Sequence, residues 1–238
     1  MRPSSPASVP AGGASPRLLE LATTVAAGLA GGAMAVVLAL DYVHPSSMPD
    51  SVATVLWYGV RGAGLSAYLV LWLTTAAGLC VSGRLEARWL PAGAVFFLHQ
   101  LGDLALSLGV LHALLLLGDR FAGFTPDTLV VPFRASYRPL WSGLGILALY
   151  LLAVVQWSVR LRPRLGYRAW RGIHYASFVV FGLALTHGLS AGTDAVSPPL
   201  RVMYGLTGTT VVGLTMWRWS ASRSRAPRAE GLLLPSRK

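Results

Sequence analysis

The chain has 238 residues, of which 54% are hydrophobic and only 12% are charged, and its mean hydropathy is +0.56. A soluble domain of this length needs far more surface charge, so the composition favours a membrane protein. The formal charge of +11 comes from Arg and Lys residues clustered between apolar blocks, which argues for membrane-surface positions and against nucleic-acid binding. The single cysteine, Cys80, excludes an internal disulfide and thiolate-rich zinc or iron–sulfur sites.

Six apolar blocks are long enough to cross about 30 Å of hydrocarbon at about 1.5 Å per residue. The sequence therefore predicts an all-α membrane protein, a six-transmembrane-helix bundle. The predicted spans lie near 19–40, 62–82, 91–117, 140–159, 170–190 and 202–219.

Two tails flank the predicted transmembrane domain of residues 19–219. The N-terminal tail, 1–18, is rich in Pro, Ser, Ala and Gly, and the C-terminal tail, 220–238, is basic; both are expected to be disordered. The first apolar block has no clear small-x-small cleavage site before Asp41. We therefore expect an uncleaved anchor rather than a signal peptide.

Arginine and lysine residues are distributed unequally over the two predicted sides of the membrane. Alternate loops and both tails carry fifteen on one side, and the other side carries five. The positive-inside rule then predicts a multi-pass protein of the plasma or inner membrane with both termini in the cytoplasm. In this topology the third and fifth spans both run outward.

Those two spans each contain a pair of histidines separated by thirteen positions: His99 and His112 in the third, His174 and His187 in the fifth. An imidazole in hydrocarbon costs free energy unless both ring nitrogens are satisfied. A neutral histidine is a good axial ligand for haem iron, and a pair from facing helices completes six-coordination. The sequence therefore predicts two haems about 20 Å apart, one bound by His99 and His174 and the other by His112 and His187.

The thirteen-residue interval has a geometric consequence. At about 100° per residue it leaves the two histidines of one helix about 140° apart in azimuth. Two explanations are open: a local change of helical twist near Gly102, Gly109 or Gly182, or haems held at different azimuths on the two levels. Glycine at these positions would also let a porphyrin edge approach the backbone.

Arg61 and Arg171 are candidate contacts to the haem propionates. Arg61 lies where the second span enters from the outside, near the depth of His112 and His187, and Arg171 lies on the inner side. Each guanidinium could hold a carboxylate through two hydrogen bonds, or could simply extend to the membrane interface. Arg160, Arg162 and Arg164 are interpreted as determinants of topology or as a docking patch for an acidic partner.

Asp103 lies four residues after His99, on the same face of the predicted helix, where a free carboxylate is costly. It could be protonated and hydrogen-bonded, pair with an arginine, or relay protons to a quinone near the inner haem. A different class of function is also open: a cofactor-free transporter or proton channel in which Asp103 and the membrane histidines form a relay.

Four segments resemble the ferric-reductase-like transmembrane family, which includes the membrane portions of ferric reductases and NADPH oxidases and the haem-binding membrane subunit of methionine sulfoxide reductase systems. They are WYGVRGAGLSAYLVLWLTTAAGLCVSGR at 57–84, the span with His99 and His112, VPFRASYRPLW at 131–141, and YRAWRGIHYASFVVFGLALTHGLSAGTDA at 167–195. The last is the most specific, because Trp170 and Arg171 precede its first histidine and a glycine follows its second.

This resemblance implies two b-type haems per chain, bound by the four histidines, with Trp170 as a further haem contact and electron flow from the cytoplasm to the outer face. Many members carry a flavin- and nicotinamide-binding domain after the last helix, whereas about twenty residues follow Trp219 here. The chain also lacks a strand followed by a glycine-rich phosphate turn. We therefore expect an oxidoreductase subunit whose electrons come from a separate flavoprotein or from quinol and leave to an outer-face acceptor.

Overall fold

The structure is a computed structural model that describes residues 50–83, 94–119 and 122–223. These residues form α-helices α1 (Asp50–Gly83), α2 (Ala94–Leu115), α3 (Pro126–Val130), α4 (Pro139–Ala191) and α5 (Pro198–Arg223), with 3-10 turns at Leu116–Gly118 and Thr193–Val196. No β-strand occurs in these ranges, so the prediction of a helical protein is confirmed there. The predicted span at 19–40 and the predicted tail at 1–18 lie outside the described residues.

Three helical stretches within the described ranges are long and apolar enough to cross a membrane: Val55–Ser82, Phe97–Gly118 and Pro139–Ala191. The predicted span at 202–219 is helical but less apolar than these three. Helix α5 continues to Arg223, so residues 220–223 are helical and not part of a disordered tail. Hydropathy marks the hydrocarbon layer, whereas a helical backbone can continue beyond it.

Helix α4 has 53 residues and folds back on itself at Gly166. Gly166 has φ 76° and ψ 160°, a region that only glycine adopts readily, and Pro163 lies just before it. The hydroxyl of Tyr137, which precedes the helix, donates to the carbonyl oxygen of Ala191 at its far end over 3.2 Å. Helix α4 therefore consists of two antiparallel arms, α4a (139–165) and α4b (167–191), which correspond to the predicted fourth and fifth spans.

The replacement Gly166→Ala is expected to lower the free energy of unfolding by about 1–3 kcal/mol, because an L-residue is strained at this φ and ψ. A Cβ at Gly166 meets no atom within 4 Å, so the effect comes from the backbone and not from a clash. Gly172→Ala is the matched control: its Cβ also meets nothing, but Gly172 is helical, so alanine is expected to be neutral or stabilising. Unfolding monitored by circular dichroism in detergent checks the difference, and equal effects would contradict it.

The four helical arms α1, α2, α4a and α4b meet in an apolar layer with one buried side chain from each: Leu71, Ala105, Leu152 and Val180. Helix α5 packs on α1 and α4b through a second cluster that includes Tyr68, Phe181 and Tyr204. The hydroxyls of Tyr68 and Thr207 join α1 to α5 by a hydrogen bond of 2.5 Å. The two buried hydroxyls thereby satisfy each other's hydrogen-bonding capacity inside the bundle.

The two ends of the bundle differ in character. The basic end contains the Gly166 turn and five arginines: Arg160, Arg162, Arg164, Arg168 and Arg171. The loop end contains residues 122–138 and 192–197. At the loop end Phe133 (φ 67°) places its ring against Gly143, where any Cβ would collide with it, and Arg138 donates a hydrogen bond to the carbonyl oxygen of Ser190. The Phe133 ring thus packs the loop on α4a, and the Arg138 hydrogen bond joins the loop-end tips of α4a and α4b.

Candidate functional site

The four predicted histidines come together in two pairs. At the loop end, the rings of His112 on α2 and His187 on α4b have centroids 6.3 Å apart and planes at 76°. Towards the basic end, His99 and His174 lie within range of an electrostatic interaction with each other. Helices α2 and α4b therefore run in the same direction, and the pairs are the ones predicted from the sequence.

The ring of His112 packs against the neighbouring helix α1, at the backbone carbonyl of Val60 and beside Gly64. We call such a carbonyl and glycine a seat. The Nδ1 atom of His112 lies 2.8 Å from the carbonyl oxygen of Val60, and a Cβ on Gly64 would come within 2.8 Å of the same nitrogen. A carbonyl oxygen only accepts hydrogen bonds, so Nδ1 must carry the proton and donate it. In a neutral ring Nε2 then has a lone pair available to a metal. Glycine at position 64 is what lets the imidazole reach this carbonyl.

The ring of His187 sits in an equivalent seat on α4a. Its Nδ1 lies 2.8 Å from the carbonyl oxygen of Trp141, and a Cβ on Gly145 would come within 2.7 Å of the ring. In both seats the carbonyl belongs to the residue four positions before the glycine. In the described part of the chain, no protein group hydrogen-bonds the Nε2 of either histidine.

The two seats belong to an internal repeat that our sequence reasoning missed. Residues 62–71, GAGLSAYLVL, and 143–152, GLGILALYLL, share the pattern G-x-G-x-x-A-x-x-x-L. In each copy the second glycine forms a seat, and the next long helical arm carries two histidines thirteen positions apart. The hairpins α1–α2 and α4a–α4b are thus two copies of one unit, and the repeated G-x-G was the signal available in the sequence.

A cavity of about 440 Å³ lies between the two copies, within the size range of cofactor sites. Both loop-end imidazoles line it, together with the alanines of the repeat, Ala67 and Ala148. The apolar layer forms the floor of the cavity. On every arm the residue of this layer lies seven positions from the seat glycine or the loop-end histidine: 71 from 64, 105 from 112, 152 from 145 and 180 from 187. This corresponds to about two helical turns.

The two histidines of this cavity, His112 and His187, fit a metal whose other ligands come from a cofactor. Within residues 50–83, 94–119 and 122–223, no three His, Cys, Asp or Glu side chains gather in one place, as a bare ion usually requires. A haem needs only two axial nitrogens. Metal–nitrogen bonds of about 2 Å, with roughly 1 Å from each ring centre to its nitrogen, place two axial imidazole centres about 6 Å apart. The ring centroids of His112 and His187 are 6.3 Å apart.

Arg61, which the sequence predicted to be a haem contact or an interfacial residue, lines the cavity. Its guanidinium forms an ion pair with Asp194 at 3.1 Å and lies 3.1 Å from the centroid of the Trp57 ring. It also donates to the hydroxyl of Thr193. Arg61 therefore joins α1 to the 3-10 turn at Thr193–Val196.

At the basic-end pair the structure separates the two predicted contacts, Trp170 and Arg171. The Trp170 ring stacks on that of His174, with centroids 5.2 Å apart and planes at 25°. Arg171 instead donates to the hydroxyls of Tyr175 (3.0 Å) and Tyr167 (3.3 Å), on an exposed face of its own helix. Trp170 is thus part of the basic-end site, and Arg171 is engaged elsewhere.

Asp103 pairs with an arginine, which is one of the three alternatives left by the sequence. Its carboxylate accepts hydrogen bonds from Arg160 at 2.9 Å and from the Gln156 amide at 3.1 Å. The same amide nitrogen lies 3.3 Å from the carbonyl oxygen of His99 and fills the space beside Gly102. This network connects α2 to α4a beside the basic-end pair.

Both histidine-bearing arms are regular α-helices around their histidines, with no bulge near the three glycines. The first explanation, a local change of helical twist, is therefore not found, and the two histidines of each arm differ by about 140° in azimuth. Haems held at different azimuths stay a prediction. Gly102 faces Gln156, Gly109 faces Leu149, and a Cβ on Gly182 would meet nothing within 4 Å. The close approaches to the histidine rings fall on Gly64 and Gly145 instead.

No protein-family profile, curated protein or solved structure matches this chain. The candidate site consists of two imidazoles, His112 and His187, each held through its Nδ1 in an equivalent seat and both lining one cavity.

Proposed function

We propose that this chain is the haem-binding membrane subunit of a ferric-reductase-like oxidoreductase and transfers electrons across the membrane through two bis-histidine b-type haems. The loop-end pair carries this proposal, because His112 and His187 present unprotonated Nε2 atoms to one cavity at the ring separation that a shared iron requires. His99 and His174 would bind the second haem. Haem iron with two axial imidazoles supplies one-electron exchange without an open site for oxygen.

The internal repeat supports this assignment. A porphyrin is flat and nearly symmetric about its iron, so two equivalent helical hairpins can offer equivalent ligands on its two faces. The chain's part is to hold each imidazole in one tautomer and orientation, which the carbonyls of Val60 and Trp141 do. The small side chains of Ala67 and Ala148 keep the space between the seats open.

The layer between the two histidine pairs also supports electron transfer. The pairs are thirteen residues apart on each helix, or about 20 Å, and Leu71, Ala105, Leu152 and Val180 lie between them. These four apolar side chains offer no polar group to water or ions in the middle of the bundle. An electron can cross such a layer in a short hop, whereas a hydrated ion cannot.

In this proposal the chain has six spans, with 19–40 as the first and α5 as the last, and both termini lie in the cytoplasm. The arginines of the basic end support this orientation through the positive-inside rule. Residues 161–169 are exposed, so a cytoplasmic flavoprotein or quinol would donate electrons at this end. The acceptor would meet the loop end on the outer face.

A cofactor-free proton channel is the competing function. It needs a line of titratable or hydrated groups between the two histidine levels. Among the described residues the intervening layer is apolar, and the Asp103 carboxylate is bound by Arg160 and Gln156. Both observations favour the haem proposal.

The absorption spectrum of the purified full chain tests the proposal. After expression in cells with ample haem, we expect a reduced-minus-oxidised spectrum of low-spin haem b and about two haems per chain by the pyridine haemochrome assay. Carbon monoxide is expected to leave the spectrum unchanged, because both axial positions are filled. A folded but colourless protein from the same cells would contradict the proposal and favour a cofactor-free transporter.

A further inference from the structure

An N–H donor without a partner lies beside the basic-end histidine pair. The Nε1 atom of Trp170 is buried and makes no hydrogen bond within the described residues, while its ring stacks on His174. A buried donor left without an acceptor costs about 1–3 kcal/mol. The position of this indole therefore points to an acceptor that the chain itself does not supply in these ranges.

A cationic side chain approaches the same indole from the other arm of the hairpin. The guanidinium carbon of Arg162 on α4a lies 4.6 Å from the centroid of the Trp170 ring on α4b, and Arg162 is also within electrostatic range of His99. This contact exists because the turn at Gly166 brings the two arms together. The indole of Trp170 and the guanidinium of Arg162 therefore lie next to each other beside the basic-end histidine pair.

The other arginines of the basic end differ from Arg162. Arg160 is neutralised by Asp103, and Arg171 is hydrogen-bonded to two tyrosines. Arg164 and Arg168 are exposed, as Arg162 is, but in the described ranges neither guanidinium lies over the Trp170 ring. In the ranges that the structure describes, no carboxylate pairs with Arg162. Its charge is therefore available to an anion at the histidine pair.

We propose that Arg162 and Trp170 form a carboxylate-binding subsite that holds a propionate of the basic-end haem, an inference that rests on the proposed function. The guanidinium pairs with the carboxylate, and the indole Nε1–H donates to it. This assigns the cationic contact to Arg162 rather than to Arg171, which the sequence suggested. The two residues act as positioning residues, since the iron ligands are His99 and His174.

The rate of haem release to an excess of a haem-acceptor protein tests the subsite. In Arg162→Gln and Trp170→Phe we expect one of the two haems to leave about tenfold faster than in the unaltered chain, a factor equivalent to about 1.4 kcal/mol. Phenylalanine retains the stacking on His174 and removes only the N–H group. Arg164→Gln and Arg168→Gln are the matched controls, because they remove the same charge from the same turn, and we expect no change.

Haem dimethyl ester, which lacks free carboxylates, separates carboxylate binding from a general effect of charge. Reconstituted with the ester, the unaltered chain is expected to release the basic-end haem as fast as Arg162→Gln releases natural haem. Arg162→Gln should show no further acceleration with the ester. A redox titration adds a second readout: loss of this cation is expected to lower the midpoint potential of one haem and leave the other unchanged.

The outcomes distinguish this inference from the proposed function. Equal release rates in Arg162→Gln and Arg164→Gln, with two haems in both, would overturn the subsite and leave the function intact. A faster release in Arg162→Gln that persists with the dimethyl ester would also overturn it. Absence of haem from the unaltered chain would overturn the proposed function itself.

Discussion

His112→Ala and His187→Ala are each expected to lower the haem content from about two to about one per chain and to remove the same haem. In the proposed function each change deletes one of the two ligands of the loop-end haem, while His99 and His174, about 20 Å away, remain to bind the other haem. His99→Ala and His174→Ala are expected to remove the other haem. The pyridine haemochrome assay gives the stoichiometry, and electron paramagnetic resonance identifies which low-spin species is lost.

Loss of haem has to be distinguished from loss of fold. Thr186→Ala is the matched control for His187→Ala, because Thr186 is adjacent and exposed and, among the described residues, its hydroxyl bonds only to the carbonyl oxygen of Gly182 in its own helix. This control is expected to keep both haems. Circular dichroism should show unchanged helix content in every single variant. Full haem content in the double variant His174→Ala, His187→Ala would be decisive against the proposed function.

Gly64→Ala and Gly145→Ala are expected to displace the loop-end imidazoles without removing either ligand. The new Cβ would lie 2.8 Å from His112 Nδ1 in the first variant and 2.7 Å from the His187 ring in the second. Such overpacking costs about 1–3 kcal/mol, and relief of the clash breaks the hydrogen bond from Nδ1 to the helix carbonyl. We expect the loop-end haem to bind at least about tenfold more weakly in each variant.

Gly62→Ala is the matched control for the first of these changes. Gly62 lies on the same helix and belongs to the same repeat, but a Cβ there meets no atom within 4 Å. It is expected to bind haem as the unaltered chain does. Haem-transfer kinetics measured on Gly62→Ala, Gly64→Ala and Gly145→Ala check the prediction. If Gly62→Ala and Gly64→Ala behave alike, the seats do not determine ligand geometry.

Much of the arrangement along the membrane normal could be predicted from the sequence, because it depends on local properties. Apolar runs predict helices, since a backbone in hydrocarbon must satisfy its own hydrogen bonds. The constant helical rise then places His99 level with His174 and His112 level with His187 once the two helices are parallel. The alternation of basic and apolar segments predicts which arms are parallel.

Contacts across the bundle were decided only by the tertiary structure. The seats join Gly64 to His112 and Gly145 to His187, pairs that lie more than forty positions apart and whose distances depend on helix rotation as well as depth. The rise of a helix is the same for every sequence, but its rotation follows from the packing of all its neighbours. The depth of a residue in the bundle could therefore be read from its number, whereas the rotation of each helix relative to its neighbours could not.

The basic end shows the same division at the level of single side chains. Position in the sequence placed Arg171 close to His174, but side-chain direction on a helix gives it two tyrosine partners on another face. Arg162 reaches Trp170 only because the chain reverses at Gly166. By itself the sequence determined which residues share a depth in the membrane, through the fixed rise of its helices. Only the folded bundle decided which of them touch, because contact depends on rotations and turns that no short segment specifies.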